Sequence, residues 1–157
     1  MRMSYFLLFF LLALLSVTTI SYGAVVDGSG NAIESVGKVR SMADSAFASG
    51  NMAEASKLWG EVIDMEPKNE NNYYKRFRVY LRQNKYKEAW SDLSSALTLK
   101  PNKEDALLQR SKLGIKLGKC KEAEIDMLEL KKLGSKHFDE NILQQAKECK
   151  QLIEAAN

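Results

Sequence analysis

The sequence is poor in the residues that usually hold metal ions or carry nucleophilic chemistry. Its 157 residues include one histidine and two cysteines, too few soft ligands for a recognised zinc site. The sequence carries no evident nucleophile–base pair, phosphate-binding loop or metal cluster. We therefore expect neither an enzyme nor a cofactor.

Proline, glycine and an excess of one charge are scarce as well. Two prolines and nine glycines exclude collagen-like, proline-rich and glycine-rich chains. The 23 Lys and Arg residues against 20 Asp and Glu give a net charge of +3, which argues against nucleic acid as a partner because such binding needs a dense basic face. The 45% of hydrophobic residues is instead typical of a packed globular protein.

Residues 1–23 differ in composition from the rest of the chain. Arg2 precedes an almost unbroken apolar run from Tyr5 to Leu15, and a small-x-small cleavage site ends at Gly23. The run is shorter than the ~20 residues that span a bilayer. We therefore expect a cleaved signal peptide rather than a membrane anchor, and a mature chain in the endoplasmic reticulum lumen or secretory pathway, free of the membrane. The last four residues are not a retention tetrapeptide.

A period of 34 residues runs through the remainder of the chain. Small and apolar residues recur at that step, namely Ala55, Ala89 and Ala123, then Trp59, Leu93 and Met127, and the same step separates Gly50, Asn84 and Gly118. Apolar positions inside each unit follow helical spacing. Glycine and asparagine tolerate the left-handed backbone that ends a helix. A period of 34 is typical of tetratricopeptide repeats.

We therefore expect an all-α protein, a right-handed α-solenoid of three helix hairpins with a C-terminal capping helix. A flexible arm is predicted over 24–35, and the repeat domain over 36–157. The predicted repeats are 36–69, 70–103 and 104–137, with helix pairs at about 36–49/52–65, 70–83/86–99 and 104–117/120–133 and a cap at 138–155. Asn102 is expected to cap the fifth helix.

The two cysteines fall on the sixth helix and the cap. If these helices form a hairpin turning near residues 135–136, Cys120 and Cys149 lie at almost the same level. In an oxidising compartment the pair could form a disulfide, and the alternative is two buried thiols. Glu122 and Asp126, four residues apart on a helix, are expected on a solvated outer face.

Several segments are similar to one subfamily of tetratricopeptide repeat proteins. Tyr73-Tyr74-Lys75-Arg76, Asp92-Leu93, Leu108-Gln109-Arg110 and Lys116-Leu117-Gly118 resemble the first repeats of the kinase-inhibitor-type co-chaperones of DnaJ subfamily C, which join such repeats to a J-domain in the endoplasmic reticulum lumen. The resemblance implies binding of unfolded client polypeptides. His137-Phe138-Asp139 lacks the proline of a His-Pro-Asp turn, so we expect the J-domain to be absent. A lumenal Hsp70 system would then be reached through another protein.

In such a stack the first helix of each pair lines the concave face. The predicted peptide-binding residues on these helices are Arg40, Asp44, Phe47, Tyr74, Arg78, Leu81, Leu108, Lys112 and Ile115. Phe47, Leu81 and Ile115 form an apolar row across the three repeats, either exposed as a groove or buried in helix contacts.

Two kinds of partner are open at this point. The row and its cationic rim favour a co-chaperone-like module that holds unfolded or extended segments. The alternative is a scaffold that docks one folded partner or associates with itself. A carboxylate clamp for chaperone C-termini is disfavoured, because Asp44 and Asp105 would repel a carboxylate.

Overall fold

The computed structural model describes residues 32–156, with side chains from residue 35 onward. The predicted signal peptide at 1–23 and the predicted arm up to residue 31 lie outside the described residues. The helical unit considered below starts at residue 36. Within 32–156 the chain forms seven α-helices and no strand.

The helices follow one another with short turns. They are α1 (Ala32–Ala48), α2 (Met52–Met65), α3 (Glu70–Arg82), α4 (Tyr86–Leu99), α5 (Glu104–Lys116), α6 (Cys120–Lys132) and α7 (Glu140–Ala155). The pairs α1/α2, α3/α4 and α5/α6 are called repeats 1, 2 and 3. The all-α solenoid is confirmed, and helices α2 to α6 begin and end within two residues of their predicted bounds.

Two ends and one cap differ from expectation. Helix α1 already begins at Ala32, inside the predicted arm, where Ala and Glu residues favour helix. Helix α7 begins two residues late, at Glu140, because Asp139 caps it by accepting bonds from the backbone N–H groups of residues 141 and 142. The prediction for Asn102 is wrong, since Lys103 is the N-cap of α5 and makes no side-chain cap bond.

The turn of each hairpin has the same backbone conformation and the same hydrogen bond. Gly50, Asn84 and Gly118 have φ angles of 83°, 56° and 71°, the left-handed conformation expected from the sequence. The residue after each one donates its N–H to a carbonyl five residues earlier, at N–O distances of 2.9, 2.9 and 2.7 Å. This Schellman-type bond closes the first helix and sets the direction of the second.

The core consists of small and large residues that repeat at the 34-residue step. Ala55, Ala89 and Ala123 are completely buried, which lets the two helices of a repeat cross at close range. One cluster gathers around Trp59 in repeat 1, and a second extends from Phe77 through repeats 2 and 3 to α7. Trp59 is 3% exposed, so it serves as a packing residue.

Buried ion pairs hold the helices of repeats 2 and 3 together. Arg76 on α3 donates two bonds to Asp92 on α4, at 2.9 and 2.7 Å. Arg110 on α5 donates two bonds to Asp126 on α6, at 2.8 and 2.7 Å. We call these four residues the Arg–Asp seam. The prediction that Asp126 faces solvent is wrong, because the side chain turns inward to meet Arg110.

Burial works against the charge of both aspartates. It raises the pKa of Asp92 and of Asp126 above the ordinary aspartate value, and the hydrogen bonds from the arginines oppose that shift. The two-bond pairing is the geometry in which arginine binds a carboxylate most strongly. Each arginine therefore favours the ionised form of its buried partner.

Helix α7 packs on α5 and α6 and is joined to α6 covalently. Cys120 and Cys149 form a disulfide with their Cα atoms 5.6 Å apart. Lys150 Nζ lies 3.0 Å from Glu124 Oε2 on α6, and Ile142, Leu143 and Ala146 are buried against repeat 3. The helix thus covers the apolar end of the third repeat. Across residues 32–156 no helix has the length and apolarity that crossing a membrane requires.

Candidate polypeptide-binding face

The predicted apolar row lies on the first helices α1, α3 and α5, which the repeat pattern predicts to line the concave face. Leu81 is 38% exposed, while Phe47 and Ile115 are half-buried. Ile115 packs partly on the core of repeats 2 and 3. The row is therefore neither sealed inside the molecule nor fully open, and Leu81 is its most accessible member.

Phe47 packs on the core of repeat 1, and two cations cover its outer side. The guanidinium carbons of Arg78 and Arg82 lie 5.1 and 5.5 Å from the centre of its ring. Both arginines are on α3, one turn apart, so the ring of repeat 1 is held by repeat 2. This cation–π stacking fixes the guanidinium planes while leaving their N–H groups available.

A cleft of about 220 Å³ opens between α3 and α5 beside Leu81. Phe77, Leu81 and Tyr86 supply apolar wall, and Lys112 and Lys116 stand on the α5 side. Lys116 Nζ lies 3.7 Å from the centre of the Tyr86 ring. The cleft thus has an apolar wall on the α3 side, and polar and cationic side chains, among them Gln109, on the α5 side.

Tyr74 and Leu108 lie beside the row and serve packing as well as surface. The Tyr74 ring packs in a tilted orientation against the Phe77 ring, with 5.2 Å between the ring centres. Lys103 Nζ lies 5.2 Å from the centre of the Tyr74 ring. Burial raises the pKa of the Tyr74 hydroxyl, with a further contribution from the charge of Asp105. Both residues are half-buried against the core, so they offer a partner only part of their surface.

Arg40 and Asp44, at the repeat 1 end of the face, have partners within the chain. Arg40 is hydrogen-bonded to Glu66, which also accepts bonds from the side chains of Asn69 and Asn72. Asp44 Oδ1 lies 3.0 Å from Lys75 Nζ. Arg40 is therefore engaged within repeat 1, and Asp44 joins repeat 1 to repeat 2.

Comparison with known families accounts for the repeated hairpins. Residues 41–129, more than half of the chain, match the family model described as anaphase-promoting complex, cyclosome, subunit 3. The chain belongs to this tetratricopeptide repeat family. Members of this fold and family are protein-interaction modules.

Two curated relatives narrow the kinship within tetratricopeptide repeat proteins. The chain is 30% identical over 118 residues to the tetratricopeptide repeat and J domain-containing co-chaperone DNJ1 of Cryptococcus neoformans var. grubii, covering 75% of this chain and 22% of the relative. It is 39% identical over 80 residues to human DnaJ homolog subfamily C member 3, covering 51% of this chain and 16% of that protein. The chain therefore spans less than a quarter of the length of these relatives.

A solved structure agrees with the same kinship. The crystal structure of the P58(IPK) TPR domain superposes with a TM-score of 0.59 at 32% identity, covering 77% of this chain and 32% of that chain. The chain is thus a tetratricopeptide repeat protein related to the repeat regions of DnaJ subfamily C proteins, as the sequence predicted.

The positions that would form a carboxylate clamp in a tetratricopeptide repeat protein are occupied otherwise here. Arg40 and Asp44 are tied to Glu66 and Lys75. Asp105 Oδ1 lies 3.4 Å from His137 Nε2. The charge pattern that disfavours a clamp in the sequence is therefore accompanied by intramolecular pairing of the side chains at these positions.

Sequence reasoning missed part of the cationic rim. Arg78 and Lys112 were predicted, but Arg82 and Lys116, one helical turn further on, were not. The signal was present, because Arg82 and Lys116 are 34 residues apart, as are Arg78 and Lys112. We call these four residues the open cations, since none of them has an ion pair or a hydrogen bond within residues 35–156.

Proposed function

We propose that the concave face binds unfolded or extended segments of other polypeptides, as a co-chaperone-like module. The observation that carries the proposal is Leu81, exposed by 38% in the middle of the row and next to an open cleft. Exposed apolar surface rimmed by cations is a recurring feature of polypeptide-binding grooves. Helix packing within the chain leaves this surface uncovered.

The kinship supports a chaperone-related role. One relative carries the name co-chaperone, and the other belongs to DnaJ subfamily C. Because the chain spans only a minor part of each, their whole activities are not transferred. What we propose for this chain is the polypeptide-holding step alone, with transfer to an Hsp70 system made through another protein.

We further propose that the protein works in the endoplasmic reticulum lumen or secretory pathway. The composition of residues 1–23 supports this location, and so does the disulfide between Cys120 and Cys149, since disulfides persist in oxidising compartments. Protease protection in microsomes, with alkylation of free thiols before reduction, tests it. A protein digested without detergent, or one with two alkylated cysteines, would contradict the location.

The binding proposal is tested by Leu81→Glu, with Leu152→Glu as a matched control. Leu152 is a 73% exposed leucine on α7, away from the concave face. Burying a large apolar side chain against a client is worth ~1.5–3 kcal/mol, so Leu81→Glu should weaken binding of a reduced, permanently unfolded protein about tenfold or more. Fluorescence anisotropy gives the affinity, and circular dichroism checks that both variants fold.

Two results would overturn the proposal. The first is unchanged client affinity in a folded Leu81→Glu variant. The second is a wild-type protein that binds no unfolded chain but retains one folded partner after crosslinking, which is the behaviour of a docking scaffold.

A further inference from the structure

The open cations are arranged in two rows across repeats 2 and 3. Arg78 on α3 and Lys112 on α5 occupy one position of the repeat, and Arg82 and Lys116 occupy the position one turn later. All four stand around Leu81 and the 220 Å³ cleft or on the adjoining ring of Phe47. Repeat 1 has Asp44 and Ala48 at the same two positions, so the rows are confined to two repeats.

Carboxylates that could neutralise these cations are already engaged. On the first helices, Asp44 is paired with Lys75 and Glu70 with Lys103, and Asp105 Oδ1 lies 3.4 Å from His137 Nε2. Lys112 has no aromatic, ionic or hydrogen-bonding partner among the described residues, and Arg78, Arg82 and Lys116 contact only rings. The face therefore presents four unneutralised charges around one cleft with an apolar wall.

The spacing of the rows limits what can bridge them. Helices α3 and α5 line the same cleft, and two helices that stand side by side are about one helix diameter, roughly 10–12 Å, apart. An extended polypeptide rises about 3.3 Å per residue, so side chains about three positions apart reach from one helix to the next. The cleft between them has room for one large apolar side chain.

We propose that this site recognises an internal segment of an extended polypeptide in which one large apolar residue lies between two acidic residues about three positions apart. The apolar side chain enters the cleft beside Leu81, one carboxylate meets Arg78 and Arg82, and the other meets Lys112 and Lys116. The inference rests on the proposed function, and it adds acidic, non-terminal segments as the class of client.

The test uses a short labelled peptide, acetylated and amidated at its ends, with one leucine between two glutamates three positions apart. A second peptide replaces both glutamates with glutamine. Two exposed charge pairs should make the acidic peptide bind on the order of tenfold more tightly, with the difference shrinking as salt is added. Equal affinity for the two peptides would overturn the inference.

A pair of variants locates the effect on the protein. Lys112→Gln with Lys116→Gln should remove most of the preference for the acidic peptide. Lys87→Gln with Lys121→Gln makes the same change of net charge at exposed, unpaired lysines that are also one repeat apart, on α4 and α6, and should leave the preference intact. Equal loss in both double variants would reduce the preference to net charge and contradict the site.

The outcomes separate this inference from the proposed function. If an unfolded protein still binds but the acidic and neutral peptides do not differ, the charge specificity is wrong and the polypeptide-binding face stands. If neither an unfolded protein nor a peptide binds the folded wild-type chain, the proposed function fails, and the inference with it. If binding requires a free C-terminal carboxylate on the peptide, the site is a clamp for chain ends and the inference is wrong.

Discussion

Cations only two positions apart on α3 and α5 have opposite environments. Arg76 and Arg110 point into the Arg–Asp seam, where their side chains are 22% and 21% exposed. Arg78 and Lys112, about 200° further around the same helices, are exposed and unpaired by any carboxylate. The difference shows that the position on the helix, not the charge, decides whether a cation is held in a buried ion pair or exposed to solvent.

In repeat 1, other residues occupy the positions of the Arg–Asp seam and of the open cations. Met42 and Leu58 occupy the positions of the seam arginine and aspartate, and Asp44 occupies the position of the open cations. Leu58 is 5% exposed and packs in the core of repeat 1. The chain therefore contains an apolar counterpart of the seam, in which Leu58 is buried while Met42 is 48% exposed, and this makes the comparison testable by exchange.

Arg110→Met should cause the largest loss of stability. Removing one partner of a buried ion pair costs about 3–5 kcal/mol, because the remaining charge stays buried without compensation. Asp126 is 1% exposed and would be that charge. Urea unfolding followed by circular dichroism measures the change.

The exchange and the pH dependence sharpen this prediction. Adding Asp126→Leu to Arg110→Met copies Met42 and Leu58 of repeat 1. The double variant should recover most of the lost stability, since apolar replacements of buried ion pairs are often neutral or stabilising.

In Arg110→Met alone, burial raises the pKa of Asp126 without opposition. The native state then binds more protons than the unfolded state, so its stability should fall as pH rises above about 4. A single variant whose stability rises with pH in that range would contradict this account.

The architecture could be predicted from the sequence because it depends on local signals that recur in each repeat. The 34-residue step of Ala55, Ala89 and Ala123 fixed the register, and Gly50 and Gly118 fixed the turns. The seam was missed because Asp126 was paired with Glu122 by helical spacing alone. The constant interval of 16 residues from Arg76 to Asp92 and from Arg110 to Asp126 was the available signal.

Only part of the proposed binding face could be predicted from the sequence. Repeat register placed Phe47, Leu81 and Ile115 on one face, but their exposure depends on side chains from the neighbouring repeat. Arg78 and Arg82 cover Phe47 from α3, a contact between residues more than 30 positions apart. Helical periodicity describes a single helix, so it carries no information on such contacts.

The disulfide should contribute the next largest effect. It joins α6 to α7 across a separation of 29 residues, and a loop of that length is worth about 2–4 kcal/mol in the chain-entropy description. Reducing the wild-type protein should lower its free energy of unfolding by that amount. The variant Cys120→Ala with Cys149→Ala is the control, because reductant should leave its stability unchanged. An equal response in both proteins would mean that the bridge is not what reduction removes.

Ser111→Ala should give the smallest effect, and a gain. Ser111 follows the seam arginine on α5 and is completely buried, yet its hydroxyl has no hydrogen-bond partner. Repeat 1 already has a buried alanine, Ala43, at the equivalent position. Removing an unsatisfied buried hydroxyl relieves part of its desolvation cost, and alanine is the better helix former, so we expect about 1 kcal/mol of added stability.

A matched serine separates the two contributions. Ser45 is exposed on α1, so Ser45→Ala reports the gain in helix propensity alone, about half a kcal/mol. The excess of Ser111→Ala over Ser45→Ala in denaturant unfolding measures the cost of the buried hydroxyl. If Ser111→Ala is instead destabilising, the hydroxyl has a partner in solution, such as an enclosed water, and the interior of repeat 3 is more polar than that of repeat 1.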